Sequence, residues 1–304
     1  MKNLLHQYRH HILLHFIVLI WGFTGILGKL ISLPSQPLVW YRMLIASIGI
    51  GIYIFLAGLL QKPKTKNVII YVIVGFVVAA HWITFFESIK VSTVSIALAC
   101  LSSTTLFVAF LEPLFYKRKI VLYEVLLGVA VIVGLGLIFN FEPNYKLGIL
   151  LAITSAFLAA LFGTVNGVFV RNDKPRVISF YEMLGGFIAI TFYFLVTANF
   201  QVFTTIPTSM NIIYLLILGL VCTAFAFVAS VEVLKVLSPF TVTISINMEP
   251  IYAIILALLI FGEEEKMTTG FYFGAGLILA TIFTNAFLKS RMKKRNLSKN
   301  IIAS

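Results

Sequence analysis

Residues 238–262 read SPFTVTISINMEPIYAIILALLIFG. A helix crosses a bilayer with about 20 apolar residues, so this stretch is long enough to span one. It nevertheless carries an acid, Glu249, near its middle. A charged carboxylate at that depth costs about 3 kcal/mol on insertion. Pro250 follows at once and has no N–H, so the carbonyl of Ile246 loses its helical partner. Glu249, that freed carbonyl and Asn247 therefore share one turn. Helical periodicity puts Thr241, Ser245, Glu249 and Tyr252 within about 80° of one another, a polar stripe on an apolar helix. Two readings fit. The stripe is a kink whose polar groups satisfy each other, or it lines a path for solute or protons, the default for an intramembrane acid. On the second reading Glu249 takes a proton on one side and releases it on the other, and is the expected proton-coupling residue.

The rest of the chain fits an all-α integral membrane protein. Of its 304 residues 60% are hydrophobic and 11% charged, where a soluble domain carries about 25%. The net charge of +12 raises the question of nucleic acid. The basic residues, however, sit in short clusters between apolar segments, the pattern that orients spans in a lipid bilayer, and no nucleic-acid partner is expected. Cys100 and Cys222 lie inside apolar segments and suggest neither a disulfide nor a thiolate metal site. His11 and His15 are four apart and could hold a metal, but no cysteine or carboxylate is near in sequence, so an interfacial position is preferred and no metal is expected. HExxH, GxSxG and phosphate-loop patterns are absent, so neither catalysis nor a cofactor is expected. The first apolar run is too long for a cleavable signal peptide and reads as the first span.

Ten spans are expected, at 12–31, 38–60, 68–88, 92–116, 120–139, 147–170, 177–198, 211–235, 238–262 and 267–288. Placing the N-terminus inside puts 18 of the 23 Lys and Arg residues on the inner side. Both termini are then cytoplasmic, in the plasma membrane of a bacterium, and residues 291–304 form a basic cytoplasmic tail. Glu263, Glu264 and Glu265 fall outside. Lys29 and Arg42 are expected near outer helix ends, at headgroups or the external mouth, with no Lys or Arg at mid-depth.

An internal repeat organises these spans. Trp40-Tyr41-Arg42-Met43-Leu44 matches Phe180-Tyr181-Glu182-Met183-Leu184 at an offset of 140 (42 to 182). Glu87-Ser88-Ile89-Lys90 matches Glu232-Val233-Leu234-Lys235 at an offset of 145 (87 to 232). The second offset pairs Glu249 with Thr104 and Phe227 with Trp82. Residues 1–144 and 145–290 each hold five spans. Five is odd, so the second unit runs upside down relative to the first. Inverted repeats of this kind recur in secondary transporters, with the solute bound where the halves meet near the midplane.

Candidate solute-binding residues sit at that depth. His81 and Trp82 lie in the third span, and a histidine there needs a partner or water. A cavity-lining role and a satisfied structural role are both open for His81. Trp21 lies at mid-depth in the first span, where its indole N–H needs an acceptor, as a cavity residue or as plain packing. Ser103 and Thr104 belong to the hydroxyl run Ser102–Thr105, and such hydroxyls often bond back to their own helix. Asn166, Asn247 and Tyr252 complete the set. Glu112, Glu182 and Glu232 read as orienting or ion-pairing residues near inner ends. Gly163/Gly167 and Gly270/Gly274 have the four-residue spacing of close helix packing. For the last pair, intramolecular packing is preferred over a dimer face, which leaves a monomer or a homodimer. One carboxylate, several hydroxyls and aromatic rings suit a neutral or zwitterionic solute with an amino group, with hydrophobic amines second and phosphate esters not expected.

Ile20-Trp21-Gly22-Phe23, the Tyr41-Arg42 pair, and Glu249-Pro250 followed by Gly262-Glu263 resemble the drug/metabolite transporter superfamily, and within it the ten-helix EamA-type transporters. The resemblance covers nearly the whole chain. The first half departs from the usual pattern: Thr105 and Lys117-Arg118 stand where a proline and a Gly-Glu pair are common, and Glu112-Pro113 follows eight residues later. The resemblance implies export or exchange of a small organic solute, through a cavity lined by spans 1, 3, 4, 6, 8 and 9. The rival class is a non-transporting multi-pass sensor or assembly protein. Within transporters, a nucleotide-sugar or phosphate-ester exchanger is the alternative.

Overall fold

A computed structural model describes residues 2–59, 63–117, 119, 122–204, 206–246 and 248–302. All regular structure among them is helical. The first half contains α1 (Lys2–Leu30), α2 (Ser35–Leu56), α3 (Thr65–Val91), α4 (Val94–Leu101), α5 (Thr104–Tyr116) and α6 (Leu122–Phe141). The second contains α7 (Lys146–Phe169), α8 (Pro175–Val196), the short α9 (Gln201–Thr204), α10 (Ser209–Leu216), α11 (Ala226–Val233), α12 (Pro239–Ile246), α13 (Glu249–Phe261) and α14 (Thr269–Ile302). Between α10 and α11, residues Ile217–Phe225 are wound as a π-helix.

Seven helical stretches among the described residues are long and apolar enough to cross a membrane: Arg9–Leu30, Ser35–Leu56, Thr65–Val91, Val94–Tyr116, Pro143–Phe169, Pro175–Val196 and Ser209–Val233. Shorter apolar helices, Leu126–Phe141 and Thr269–Thr281, occupy two of the remaining expected spans. The span expected over 238–262 is split into α12 and α13, neither of which crosses alone. Many large apolar side chains, among them Ile52, Phe55, Phe192 and Leu259, are exposed, as lipid contact requires. The protein is a multi-pass membrane protein.

The repeat is visible in the helix breaks. α4 has 8 residues and α5 has 13, separated by Ser102 and Ser103. α12 has 8 and α13 has 13, separated by positions 247 and 248. Every boundary is displaced by 145, from 94 to 239 and from 116 to 261. The helix ends repeat as well. Lys117 (φ 53°) closes α5, and 145 residues on Gly262 (φ 58°) closes α13. Gly58 (φ 63°) and Ala198 (φ 52°), 140 apart, stand just beyond α2 and α8. In each pair one half supplies the glycine that a left-handed residue prefers and the other does not.

The halves interlock at glycines. A Cβ on Gly75 of α3 would collide with the carbonyl of Glu182 on α8, and one on Gly186 with the Met43 side chain of α2. Gly270 and Gly274 of α14 face Phe141, Ile138 and the carbonyl of Gly134 on α6, so this pair packs within the chain. Gly163 departs from the expected packing: open space lies beside it. Its partner Gly167 is packed, against Tyr116 and Pro239.

Candidate functional site

A cavity with about 140 Å³ of water-accessible space lies between the halves. It is lined from α1, α2, α3 and the α4–α5 break on one side, and from α7, α11, α12 and α13 on the other. Of the residues expected to bind solute, Trp21, His81, Trp82, Thr104 and Asn166 line it, together with Glu249. Ser103 does not: it is fully buried, with its hydroxyl donating to the carbonyl of Cys100 at 2.7 Å. Its neighbour Ser102 takes the lining position. Tyr252 also lies away from the cavity, beside Gly22 and against the cluster that holds Leu14 and Val18. Asn247 lies outside the described residues.

The lining hydroxyls look inward for their protons. Ser102 donates to the Leu98 carbonyl (3.2 Å), Thr104 to Leu101 (2.6 Å), Ser230 to Phe227 (2.8 Å) and Thr243 to Pro239 (2.9 Å). Each of these four hydroxyl protons is spent on its own helix, which leaves acceptor lone pairs for the cavity, while the fifth lining hydroxyl among the described residues, that of Thr24, donates to no carbonyl of its helix. Trp21 finds its acceptor: Nε1 donates to the carbonyl of Cys222 at 3.1 Å. His81 is both lining and satisfied, since Nδ1 lies 2.9 Å from the Ser155 carbonyl and 2.8 Å from its hydroxyl. Trp82 meets its repeat mate Phe227 edge to face, with ring centroids 6.0 Å apart.

Two ionic residues overturn expectations. Arg42 was expected at the external mouth, yet it is 2% exposed and lines the cavity. Its Nε donates to Thr223 Oγ1 at 2.6 Å, and its Cζ stands 3.7 Å over the Trp82 ring. Thr223 belongs to the π-helix and donates to the carbonyl of Leu218, five residues back. The wide π turn thus supplies both the acceptor for Arg42 and, through Cys222, the acceptor for Trp21, a setting in which π segments recur. Glu182 was expected within reach of water and basic loops, yet it is fully buried and accepts from Asn166 Nδ2 at 3.2 Å. Arg42 and Glu182 are repeat mates, each the eighth residue of its helix. A charge at the same depth of two apolar mates was the signal that could have placed both inside. Glu232, by contrast, forms the expected surface pair with Lys235 at 2.8 Å.

One end of the cavity is sealed by polar contacts. Glu265, fully buried, accepts from Lys29 Nζ (3.0 Å), from the backbone N–H of Val94 (3.1 Å) and Ser95 (3.0 Å), and from the Ser95 hydroxyl (2.8 Å). It therefore ties α1, the N-terminus of α4 and the segment after α13 together. Lys90 Nζ reaches the Ile31 carbonyl at 3.1 Å, and Asn211 pairs with Ser32 beside them. None of these residues lines the cavity, whose lining extends the other way, to Leu234 and Pro239. At that far end Asp173 accepts from Asn67 (2.7 Å) and Tyr71 (2.6 Å).

Known proteins show the same plan. A solved crystal structure superposes with a TM-score of 0.67 at 13% identity, covering 92% of this chain and 98% of that one, which shows a shared fold. In Bacillus subtilis (strain 168), the "Uncharacterized transporter YxxF" is 26% identical over 82% of this chain and 81% of its own length. From the same organism, "Uncharacterized transporter YoaV" is 24% identical over 91% and 96%. The EamA-like transporter family matches twice, over residues 9–140 and 146–287. With both halves matched and a cavity between them, the chain belongs to the EamA-like transporter family, within the drug/metabolite transporter superfamily.

Proposed function

We propose that this membrane transporter exports or exchanges an amino acid or a related amphipathic metabolite by alternating access, coupled to protons through Glu249. The observation that carries the reading is the cavity itself. It lies between the two repeats, is walled by the aromatic rings of Trp21, Trp82, Phe85, Phe162 and Phe227, and is lined by the Glu249 carboxylate at the α12–α13 break. Aromatic walls cover an apolar body, and a carboxylate with surrounding acceptor oxygens receives an ammonium group. Glu249 serves either a proton or the solute's ammonium but not both, which makes the two fluxes exchange.

Ten spans in two inverted five-helix units, with both termini in the cytoplasm of a bacterial cell, complete the proposal. On that orientation the Glu265 seal is the outer gate, and the cavity opens toward the cytoplasm. Single cysteines at 64 and 264, in a background lacking Cys100 and Cys222, test the orientation: an impermeant maleimide should label 264 and spare 64. The transport reading is tested in proteoliposomes by counterflow of labelled neutral amino acids, with and without a pH gradient. Glu249→Gln should insert and fold but lose the response to the gradient. Wild-type pH response in that variant would make the acid structural, and failure of any amino compound to exchange would remove the solute class.

A further inference from the structure

The cavity holds two opposite charges that do not pair with each other. Among the described residues the Glu249 carboxylate makes no hydrogen bond or ion pair, although it is only 6% exposed. Arg42 is held from one side only. Its Nε is spent on Thr223 and its face on Trp82, while Nη1 is buried with no hydrogen-bond partner among the described residues. A buried guanidinium N–H left unmatched is costly, and more so in a membrane, where the alternative partner is hydrocarbon. The pins explain why it stays. Thr223 and Trp82 fix the guanidinium plane, so Arg42 cannot swing across to Glu249 without losing both. A pinned guanidinium and an unpaired carboxylate lining one cavity form a mould for a molecule carrying both charges.

We propose that Arg42 and Glu249 are the two poles of a zwitterion subsite, with the Arg42 guanidinium donating to the solute's carboxylate and Glu249 accepting from its ammonium. This rests on the transporter reading above and narrows its substrate to α-amino acids with an apolar side chain. The donor count agrees. Among the described residues Arg42 is the only Lys or Arg lining the cavity, and the lining hydroxyls of Ser102, Thr104, Ser230 and Thr243 offer acceptors. One carboxylate matches one guanidinium, and one ammonium matches Glu249 with its surrounding oxygens. A phosphate ester fits badly. Its second charge would have no cation and would lie beside Glu249. A plain amine would leave Arg42 as it is now, buried and unmatched.

Three probes that share leucine's isobutyl side chain and α-carbon test this: L-leucine, isoamylamine, which lacks the carboxylate, and 4-methylpentanoate, which lacks the amino group. Binding of labelled L-leucine to the purified full-length protein is competed with each, and with glucose 6-phosphate. In the wild type, isoamylamine and 4-methylpentanoate should each compete at least about tenfold more weakly than leucine, the usual worth of a charge-assisted hydrogen bond. Arg42→Met should lower leucine affinity about 10- to 100-fold, to the level of isoamylamine, and leave isoamylamine unchanged. Isoamylamine matching leucine in the wild type, or unchanged leucine affinity in Arg42→Met, overturns the subsite while leaving the transport reading intact. Glucose 6-phosphate displacing labelled leucine as strongly as unlabelled leucine does, or no binding of leucine at all, overturns both the subsite and the amino-solute reading. Should Arg42→Met fail to fold, the order of the three probes on the wild-type protein decides alone.

Discussion

The α4–α5 break and the α12–α13 break share one backbone and differ in chemistry. Both interrupt a span after 8 residues and resume for 13. In the first, Ser102, Ser103 and Thr104 turn their hydroxyls back onto the carbonyls of Leu98, Cys100 and Leu101, so the break satisfies itself. In the second, Glu249 stands where Thr104 stands and presents a carboxylate to the cavity with no partner among the described residues. Arg42 and Glu182 repeat the lesson. The duplicated fold places a charged side chain at one depth twice, but Arg42 faces the cavity and Glu182 is buried against Asn166. Architecture here is two-fold while the site is one-sided, because a hydrogen bond is decided by side chains that the repeat does not copy.

Making the second break chemically like the first should have the largest effect. Glu249→Thr should abolish pH-driven exchange in proteoliposomes, whereas the mate substitution Thr104→Val, which removes one of several acceptor oxygens, should slow the exchange and keep its response to pH. A rate loss of similar size in both variants would show that the two breaks act as one symmetric element.

Next in size are the glycine crossings. On Gly75 a Cβ meets backbone, the carbonyl of Glu182, which cannot yield without moving α8. On Gly49 of α2 it meets a side-chain end, the Leu220 Cδ2 methyl at 2.8 Å, and the exposed Leu220 can turn aside. Gly75→Ala should therefore destabilise the protein by about 2 kcal/mol, and Gly49→Ala by less than about 1 kcal/mol, in thermal unfolding of the detergent-solubilised chain. Equal losses would mean that both crossings are equally rigid.

The helix ends allow the comparison to be evened out. Lys117 and Ala198 hold left-handed backbone that their mates Gly262 and Gly58 hold without strain. Lys117→Gly and Ala198→Gly should each raise stability by up to about 1 kcal/mol in the same unfolding measurement. The smallest effect belongs to Ser103→Ala, which loses a hydroxyl bonded within its own helix and facing away from the cavity. Its stability and leucine binding should both stay close to wild type, and a clear loss of leucine binding would return Ser103 to the site.

Much of this was legible along the chain. The 140 and 145 offsets announced a duplication, which the helix boundaries reproduce. Pro250 marked the break, because a missing N–H is a local covalent fact. Trp21 needed an acceptor and has one. Glu249 stood out because a carboxylate inside an apolar run is costly wherever the chain folds. What the sequence did not disclose was direction. Ser103 and Ser102 are neighbours with the same hydroxyl, and only the turn between α4 and α5 makes one line the cavity and the other not. Gly163 and Gly167 share one motif, yet one borders open space and the other Tyr116. Arg42 is the sharpest case: its position in α2 suggested the membrane surface, and its burial comes from Thr223 and Trp82, 181 and 40 residues away in the chain. Composition and periodicity determine that this chain enters a membrane as duplicated helices with an acid at their centre, because those costs are paid locally against lipid. Which side chains share the cavity is decided by tertiary structure alone, because pairing a buried charge requires groups from helices that only the packed fold brings together.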